Sequence, residues 1–285
     1  MIPAAFDYER AESVEQAVSL LSQHGEDAKV IAGGHSLLPL MKLRLARPSV
    51  LVDIDRLSDL EYVREDGDRL EIGALTRLGD LVDDGTLKAG NGLIAHAAEG
   101  VGDPQVRHRA TIGGSVAHGD PAGDLPTVLL TLDTEFVARG PSGERTIPSG
   151  SFFTGLFETA LMPDEVHTAI RVPKLNGAGW SYQKFHRRAI DWAIVGVAAV
   201  VERSDGAGIG SARVGLTNMA LTPMRASAVE EALGGSDGSA DSLRAAAEHA
   251  PEGTSPPSDT NGSAEYRREL SKVLVRRALE EAVGT

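Results

Sequence analysis

Apolar positions along the chain switch between two spacings. Ala17, Val18, Leu20 and Leu21 share one helical stripe. Ser13-Val14-Glu15-Gln16 reads as a capping box before them, and Gly25 as the stop. Short β-type runs follow at residues 29–32, 50–54 and 69–74, the last in strict alternation. Helical pieces are expected at residues 78–82, 93–98 and 125–132. Residues 134–139 and 145–147, joined by Gly140-Pro141-Ser142-Gly143, read as a hairpin, and residues 166–172 as a strand ended by Pro173.

The texture changes after Asn176-Gly177-Ala178-Gly179, the best internal boundary. Beyond it three strands are expected, at residues 180–186, 194–203 and 209–216, with Ser204-Asp205-Gly206 as a turn. Helices follow near residues 225–233, 242–249 and 264–283, with a polar, Pro-rich loop at 250–262. Arg267, Arg268, Arg276 and Arg277 are assigned to the wet face of the last helix. Strands and helices mix in the first half without strict alternation, which gives an α+β class and not a doubly wound sheet.

Composition narrows the chemistry. The 285 residues include no cysteine, so a disulfide framework, a thiolate zinc site, a cysteine nucleophile and a Cys-held iron–sulfur cluster are all excluded. A net charge of −13 argues against nonspecific nucleic-acid binding, which rests on phosphate neutralisation by Lys and Arg. A phosphorylated ligand must then be held by backbone amides and local dipoles. The opening MIPAAFDYERAES puts acids and a proline where a signal peptide has its apolar core. The longest apolar run, from Trp192 to Val201, is far short of the roughly 20 residues of a spanning helix, so a cytoplasmic chain with no transmembrane segment is expected.

Two motifs carry candidate chemistry. Ala32-Gly33-Gly34-His35-Ser36 follows a strand and precedes the apolar Leu37-Leu38-Pro39-Leu40-Met41. Two glycines and a serine can turn several amides to one side and cradle phosphate oxygens. Taken alone, a plain Gly-Gly turn is the simpler reading, and the spacing is not the G-x-G-x-x-G of a Rossmann fold. Thr111-Ile112-Gly113-Gly114-Ser115 repeats the Gly-Gly/hydroxyl pattern, ahead of a loop carrying His118, Asp120 and Asp124. Asp124 can cap the next helix or accept from a ribose hydroxyl. A pair of such motifs could hold a pyrophosphate from both sides, as two amide nests.

The segments AGGHSLLPLMKLRLARPSVLVDI and DPQVRHRATIGGSVAHGDPAGDLP resemble the flavin-binding medium subunit of the molybdenum hydroxylases, a family that includes xanthine dehydrogenase and aerobic carbon monoxide dehydrogenase. The likeness extends to MIPAAFDYERAESVEQAVSLL, YQKFHRRAIDWAIVGVAAVV and SDTNGSAEYRRELSKVLVRRALEEA. GGHSLLPLMK and GLTNMALTP place it nearest the carbon monoxide dehydrogenase type.

The resemblance implies a vanillyl-alcohol-oxidase (PCMH)-type FAD-binding fold. Two α+β subdomains, residues 1–57 and 58–175, would clasp the cofactor. A C-terminal domain of antiparallel sheet and helices, residues 176–285, would cover part of the flavin. Ala32, Gly33, Gly34, His35, Ser36 and Leu37, with Thr111, Ile112, Gly113, Gly114 and Ser115, match the FAD diphosphate segments. His118 and Asp124 match ligand-side positions, Val166 and His167 the adenine or ribose side, Lys184 a lysine near the flavin ring, and Asp191-Trp192 a loop approaching the isoalloxazine. Ser115 stands where the family usually has Asn, and so does His108, which puts those local contacts in doubt. His35 reads as a noncovalent neighbour and not an attachment point, and His118 beside Asp120 as a loop histidine. Trp192 can shield the flavin or fill a core. Arg187-Arg188 can be a solvated pair or hold a partner.

By the same resemblance, substrate is oxidised at a molybdenum cofactor in a large subunit. Electrons cross [2Fe-2S] clusters in a small subunit, reach noncovalent FAD here, and leave to an acceptor such as a quinone. The implied assembly is a dimer of heterotrimers, peripheral to the inner face of the membrane, and no residue of this chain acts as catalytic acid or base. A flavin subunit of a xanthine, aldehyde or N-heterocycle dehydrogenase, a stand-alone FAD oxidoreductase and a noncatalytic assembly protein stay open as alternatives.

Overall fold

A computed structural model describes residues 2–204 and 208–284. The first unit contains β1 (Asp7–Arg10), α1 (Val14–His24), β2 (Ala28–Ile31), α2 (Leu37–Lys42) and β3 (Val50–Asp53). Its strands pair in parallel in the order β1-β3-β2. The α1 start is the expected box: Ser13 Oγ accepts from the Gln16 amide at 3.1 Å, while Gln16 Oε1 accepts from the Glu12 amide at 2.7 Å. Ala17, Val18 and Leu21 bury their stripe against Val50 and Val52.

The second unit begins with β4 (Val63–Asp66), β5 (Arg69–Gly73), α3 (Leu78–Asp83), α4 (Gly85–Glu99), α5 (Pro104–Arg107), α6 (Ile112–His118) and α7 (Asp124–Thr131). It continues with β6 (Glu135–Gly140), β7 (Gly143–Pro148), β8 (Phe153–Gly155), β9 (Glu158–Thr159) and β10 (Val166–Pro173). The main sheet runs β4-β5-β10-β6-β7, all antiparallel, and the predicted hairpin is the β6–β7 pair.

The third unit is an antiparallel sheet of β11 (Gly179–Phe185), β12 (Val195–Arg203), β13 (Ile209–Thr217) and β14 (Met224–Arg225). It is covered by α8 (Ser227–Leu233), α9 (Ala240–Ala247) and α10 (Ala264–Gly284). Val195, Val197, Ala199 and Val201 of β12 pack under these helices. Ala198 and Val200 face the other way, into the core of the second unit. Burial on both faces explains why β12 reads as a continuous apolar run. The α+β class holds. The expected turn at Ser204-Asp205-Gly206 falls at Asp205 and Gly206 outside the described residues.

One assignment is corrected. Arg267 is not on the wet face of α10 but fully buried. It donates to the Ile194 carbonyl and, at 2.8 Å, to Asp259 Oδ1, so it anchors the preceding loop to the start of β12.

Candidate cofactor-binding site

The two glycine motifs come together, but they are built differently. The first leaves the end of β2, and Gly34 takes a φ of +76°, a backbone that glycine adopts without penalty. The chain then turns into α2, with Leu38 N–H donating to the Gly34 carbonyl at 3.0 Å. Among the described residues the amides of Gly34, His35 and Ser36 have no acceptor within the chain. They form an unspent donor set beside the Ser36 hydroxyl. His35 is exposed, its Nδ1 lying 3.1 Å from the Gly33 carbonyl. Gly33 serves packing: a Cβ there would stand 2.0 Å from the Arg109 carbonyl oxygen.

The second motif is not an open nest of amides. It is the capped first turn of α6. Thr111 is the N-cap, and its hydroxyl accepts from the Gly114 amide at 3.1 Å. The Ile112 amide donates to Thr76 at 3.1 Å, Gly113 to Ala74 at 2.8 Å and Ser115 to Thr111 at 3.0 Å. Every amide from Ile112 to Ser115 is therefore already paired. Ile112 is buried in the core and does not face the cleft. Gly113 sits so tightly on Ala74 that a Cβ would lie 2.5 Å from that residue's own Cβ. What this motif presents is the exposed edge of Gly114, the Ser115 hydroxyl and the positive end of a short helix.

Between the motifs runs a cleft of about 780 Å³. Ala32 to Leu37, Thr111, Gly113 to Ser115, and His118 line one part of it; Val166 and His167 line another. Further lining that the sequence motifs do not indicate includes Phe157, Leu161 and Met162, from the segment between β8 and β10. Phe157 and Met162 are about half exposed, and Phe157 holds a φ of +58° while its ring stacks on His118 with centroids 5.1 Å apart. The only advance signal was a cluster of aromatic residues at Phe152, Phe153 and Phe157. Volume, unspent amides, hydroxyls and an apolar lip together fit a dinucleotide whose diphosphate meets the first motif.

Burial sets the charges around the cleft. The His118 imidazole is pushed down by desolvation, against the pull of Asp120, whose carboxyl is itself pushed up by burial. His167 is pushed down to about 4 by complete burial, and its ring nitrogens lie 3.4 Å from the Gly113 carbonyl and 3.1 Å from that of Ala169. It is neutral at physiological pH.

Besides Ile112, four expected site residues lie outside the cleft lining. Asp124 does not cap α7, since Gly123 occupies that position. Its carboxylate accepts from Tyr182 Oη at 2.6 Å and from Lys184 Nζ at 2.8 Å. Lys184 also donates to the Gly100 carbonyl at 2.9 Å, which ties β11 to the second unit. Burial raises the Asp124 carboxyl in spite of Lys184, and raises the Tyr182 phenol as well. Asp191 and Trp192 lie in the connection between β11 and β12, with Trp192 58% exposed, so it is not a core aromatic.

Among the described residues no helix is long and apolar enough to cross a membrane, and no group of three His, Asp or Glu could hold a metal ion. Residues 4–175 match the family described as the FAD binding domain in molybdopterin dehydrogenase, and residues 180–282 match the CO dehydrogenase flavoprotein C-terminal domain. The carbon monoxide dehydrogenase medium chain of Hydrogenophaga pseudoflava is 43% identical over 283 residues, covering 99% of this chain and 98% of that one. Subunit alpha of the 6-hydroxypseudooxynicotine dehydrogenase complex of Paenarthrobacter nicotinovorans is 39% identical, with coverage of 99% and 96%. The crystallised carbon monoxide dehydrogenase of Hydrogenophaga pseudoflava that lacks the Mo-pyranopterin moiety of its molybdenum cofactor superposes with a TM-score of 0.97, at 44% identity, over 100% of this chain and 99% of that one.

Proposed function

The chain belongs to the FAD-binding family of the molybdopterin dehydrogenases, and from that premise we propose that it is the FAD-carrying electron-transfer subunit of a carbon monoxide dehydrogenase-type complex. The observation that carries the site assignment is the unspent donor set of Gly34, His35 and Ser36 on the wall of the cleft. In this reading those three amides and the Ser36 hydroxyl hold the FAD diphosphate. Gly114 and Ser115 approach from the α6 side, and the lip of Phe157 and Met162 covers an apolar part of the cofactor. Asp124 and Lys184 brace the junction over which the flavin ring extends, and Asp191 and Trp192 approach it from the third unit. Residues 1–57, 58–175 and 176–285 are the two clasping subdomains and the cover.

Bound FAD would supply the exchange between single electrons and electron pairs that links one-electron clusters to a two-electron acceptor. The chain's own work is to bind, orient and shield. A large molybdenum-binding subunit and a small iron–sulfur subunit would supply the electrons, a quinone or similar acceptor would take them, and the complex would be a dimer of heterotrimers. The absence of cysteine fits this division, because clusters must then sit in a partner.

The 39% identity to a subunit of a complex named for an N-heterocyclic substrate supports a second reading, a flavin subunit of that type. Purifying the native complex decides both points. FAD at one per copy of this chain, reduced on adding carbon monoxide, supports the first reading. Reduction by an N-heterocycle and not by carbon monoxide selects the second, and a complex without flavin refutes both.

A further inference from the structure

The two glycine motifs are joined by a charged cluster whose members lie outside the cleft lining. Asp55 follows β3 by two residues, and its amide donates to Asp53 Oδ1 at 2.8 Å. Its carboxylate reaches into the second unit, accepting from Arg77 Nη2 at 2.7 Å and from Arg109 Nη2 at 3.0 Å. Glu61 stands 3.8 Å from the same Arg77 nitrogen. Arg77 Nη1 donates at 2.7 Å to the Arg109 carbonyl, and that carbonyl is the oxygen lying against Gly33. Both Asp55 and Arg77 are largely buried, whereas Arg109 is half exposed.

The contacts form a closed ring across the boundary between the first and second units. Gly33 abuts the 109–110 peptide. Ile54 N–H donates to the Ile31 carbonyl at 3.0 Å, which fixes the exit of β3 to that of β2. Leu78 N–H donates to Ala110 at 3.0 Å, and Arg77 bridges to Thr111, the N-cap of the second motif. Burial pushes the Asp55 carboxyl up, but the two guanidiniums outweigh it and hold the group below its ordinary range. A charge-assisted, forked contact of this kind fixes direction as well as distance.

We propose that Asp55, Arg77 and Arg109 are positioning residues that set the gap between the two glycine motifs, and thereby the affinity of the cleft for a dinucleotide. This rests on the FAD reading above, and its test separates the two. Two measurements are made on the full chain. One is FAD affinity of the flavin-stripped protein by fluorescence titration. The other is the distance distribution between spin labels at Lys42→Cys and Lys88→Cys, exposed positions on α2 and α4 in a chain with no cysteine of its own.

Asp55→Asn keeps shape and removes charge. It is expected to weaken FAD binding about tenfold, to broaden the label distance, and to lower the flavin-free melting midpoint, because the depressed Asp55 carboxyl contributes to stability. Arg77→Lys retains charge but reaches only one of two acceptors, and falls between wild type and Asp55→Asn. The pair Asp55→Asn/Arg77→Met is no worse than either single change. Should Asp55→Asn fail to fold, Arg109→Gln, at the half-exposed member, gives the same two shifts in smaller size. Unchanged distances, or FAD losses that simply add in the double variant, overturn the proposal. If the wild-type chain takes up no FAD, the flavin reading fails, and the distances alone decide the latch.

Discussion

Replacing Lys184 by Met tests the buried junction between β11 and the second unit. The side chains of Lys184 and Asp124 are 8% and 3% exposed, with 2.8 Å between nitrogen and oxygen. Methionine fills similar space but leaves the Asp124 carboxylate with Tyr182 as its remaining donor and strips a donor from the Gly100 carbonyl. Removing one partner of a buried pair costs about 3–5 kcal/mol, because the other charge stays behind unpaired. The carboxyl escapes that cost by taking a proton. Burial already raises its pKa, and loss of Lys184 raises it further. A group with a raised folded pKa contributes stability below its unfolded pKa of about 3.9. It loses that contribution as pH climbs through the folded value, at up to about 1.4 kcal/mol per pH unit. The gap between wild type and Lys184→Met should thus be small near pH 4.5 and widen towards pH 7. Urea unfolding midpoints of the flavin-free chain across that range measure it. Asp124→Asn/Lys184→Met, which removes both charges and keeps an acceptor for Tyr182, should recover more than half of the loss at neutral pH. A gap below about 1 kcal/mol, or one that does not change with pH, would refute the reasoning.

Gly114→Val places a Cβ 2.7 Å from the Thr111 hydroxyl and weakens the α6 cap, at about 1 kcal/mol. The variant should stay folded by circular dichroism yet lose its oxidised-flavin absorption; unchanged flavin content would show that the α6 edge does not meet the cofactor. Arg267→Leu removes two charge-assisted bonds from a fully buried position and should cost about 1.5–3 kcal/mol. Limited proteolysis should then cut sooner within residues 250–262, the loop that Asp259 tethers.

The elements with a buried face were legible because burial leaves a period. The α1 stripe, the β6–β7 hairpin and the double-sided β12 all follow from apolar spacing alone. β1 shows none of this. Three of its four residues, Asp7, Glu9 and Arg10, are charged, and it is a strand because its backbone pairs with Val50–Asp53. Arg267 failed for the opposite reason. A buried guanidinium is indistinguishable in sequence from a solvated one. Its partners, the Ile194 carbonyl 73 residues away and Asp259, exist only once the loop folds back. The parallel order β1-β3-β2 also lies beyond a reading by local pattern, since register comes from pairing.

The glycines show most sharply what sequence carries and what it cannot. Both motifs write Gly-Gly ahead of a serine, a pattern for which sequence offers one reason, close approach to phosphate, for all four glycines. The structure divides them by function. Gly33 and Gly113 are small because other protein atoms already occupy the place of their side chains, the Arg109 carbonyl at one and the Ala74 Cβ and carbonyl at the other. Gly34 is glycine for its backbone angle. Only Gly114 turns an exposed edge to the cleft, and even there the amide is spent on Thr111. Two of the four glycines therefore hold the clasp closed, and one shapes the turn that aims unspent amides. At the proposed diphosphate site, affinity would then depend less on how many glycines surround the ligand than on how firmly Gly33 is seated against residue 109. In the proposal above, that seating is set by Asp55, Arg77 and Arg109, far from the motif in sequence.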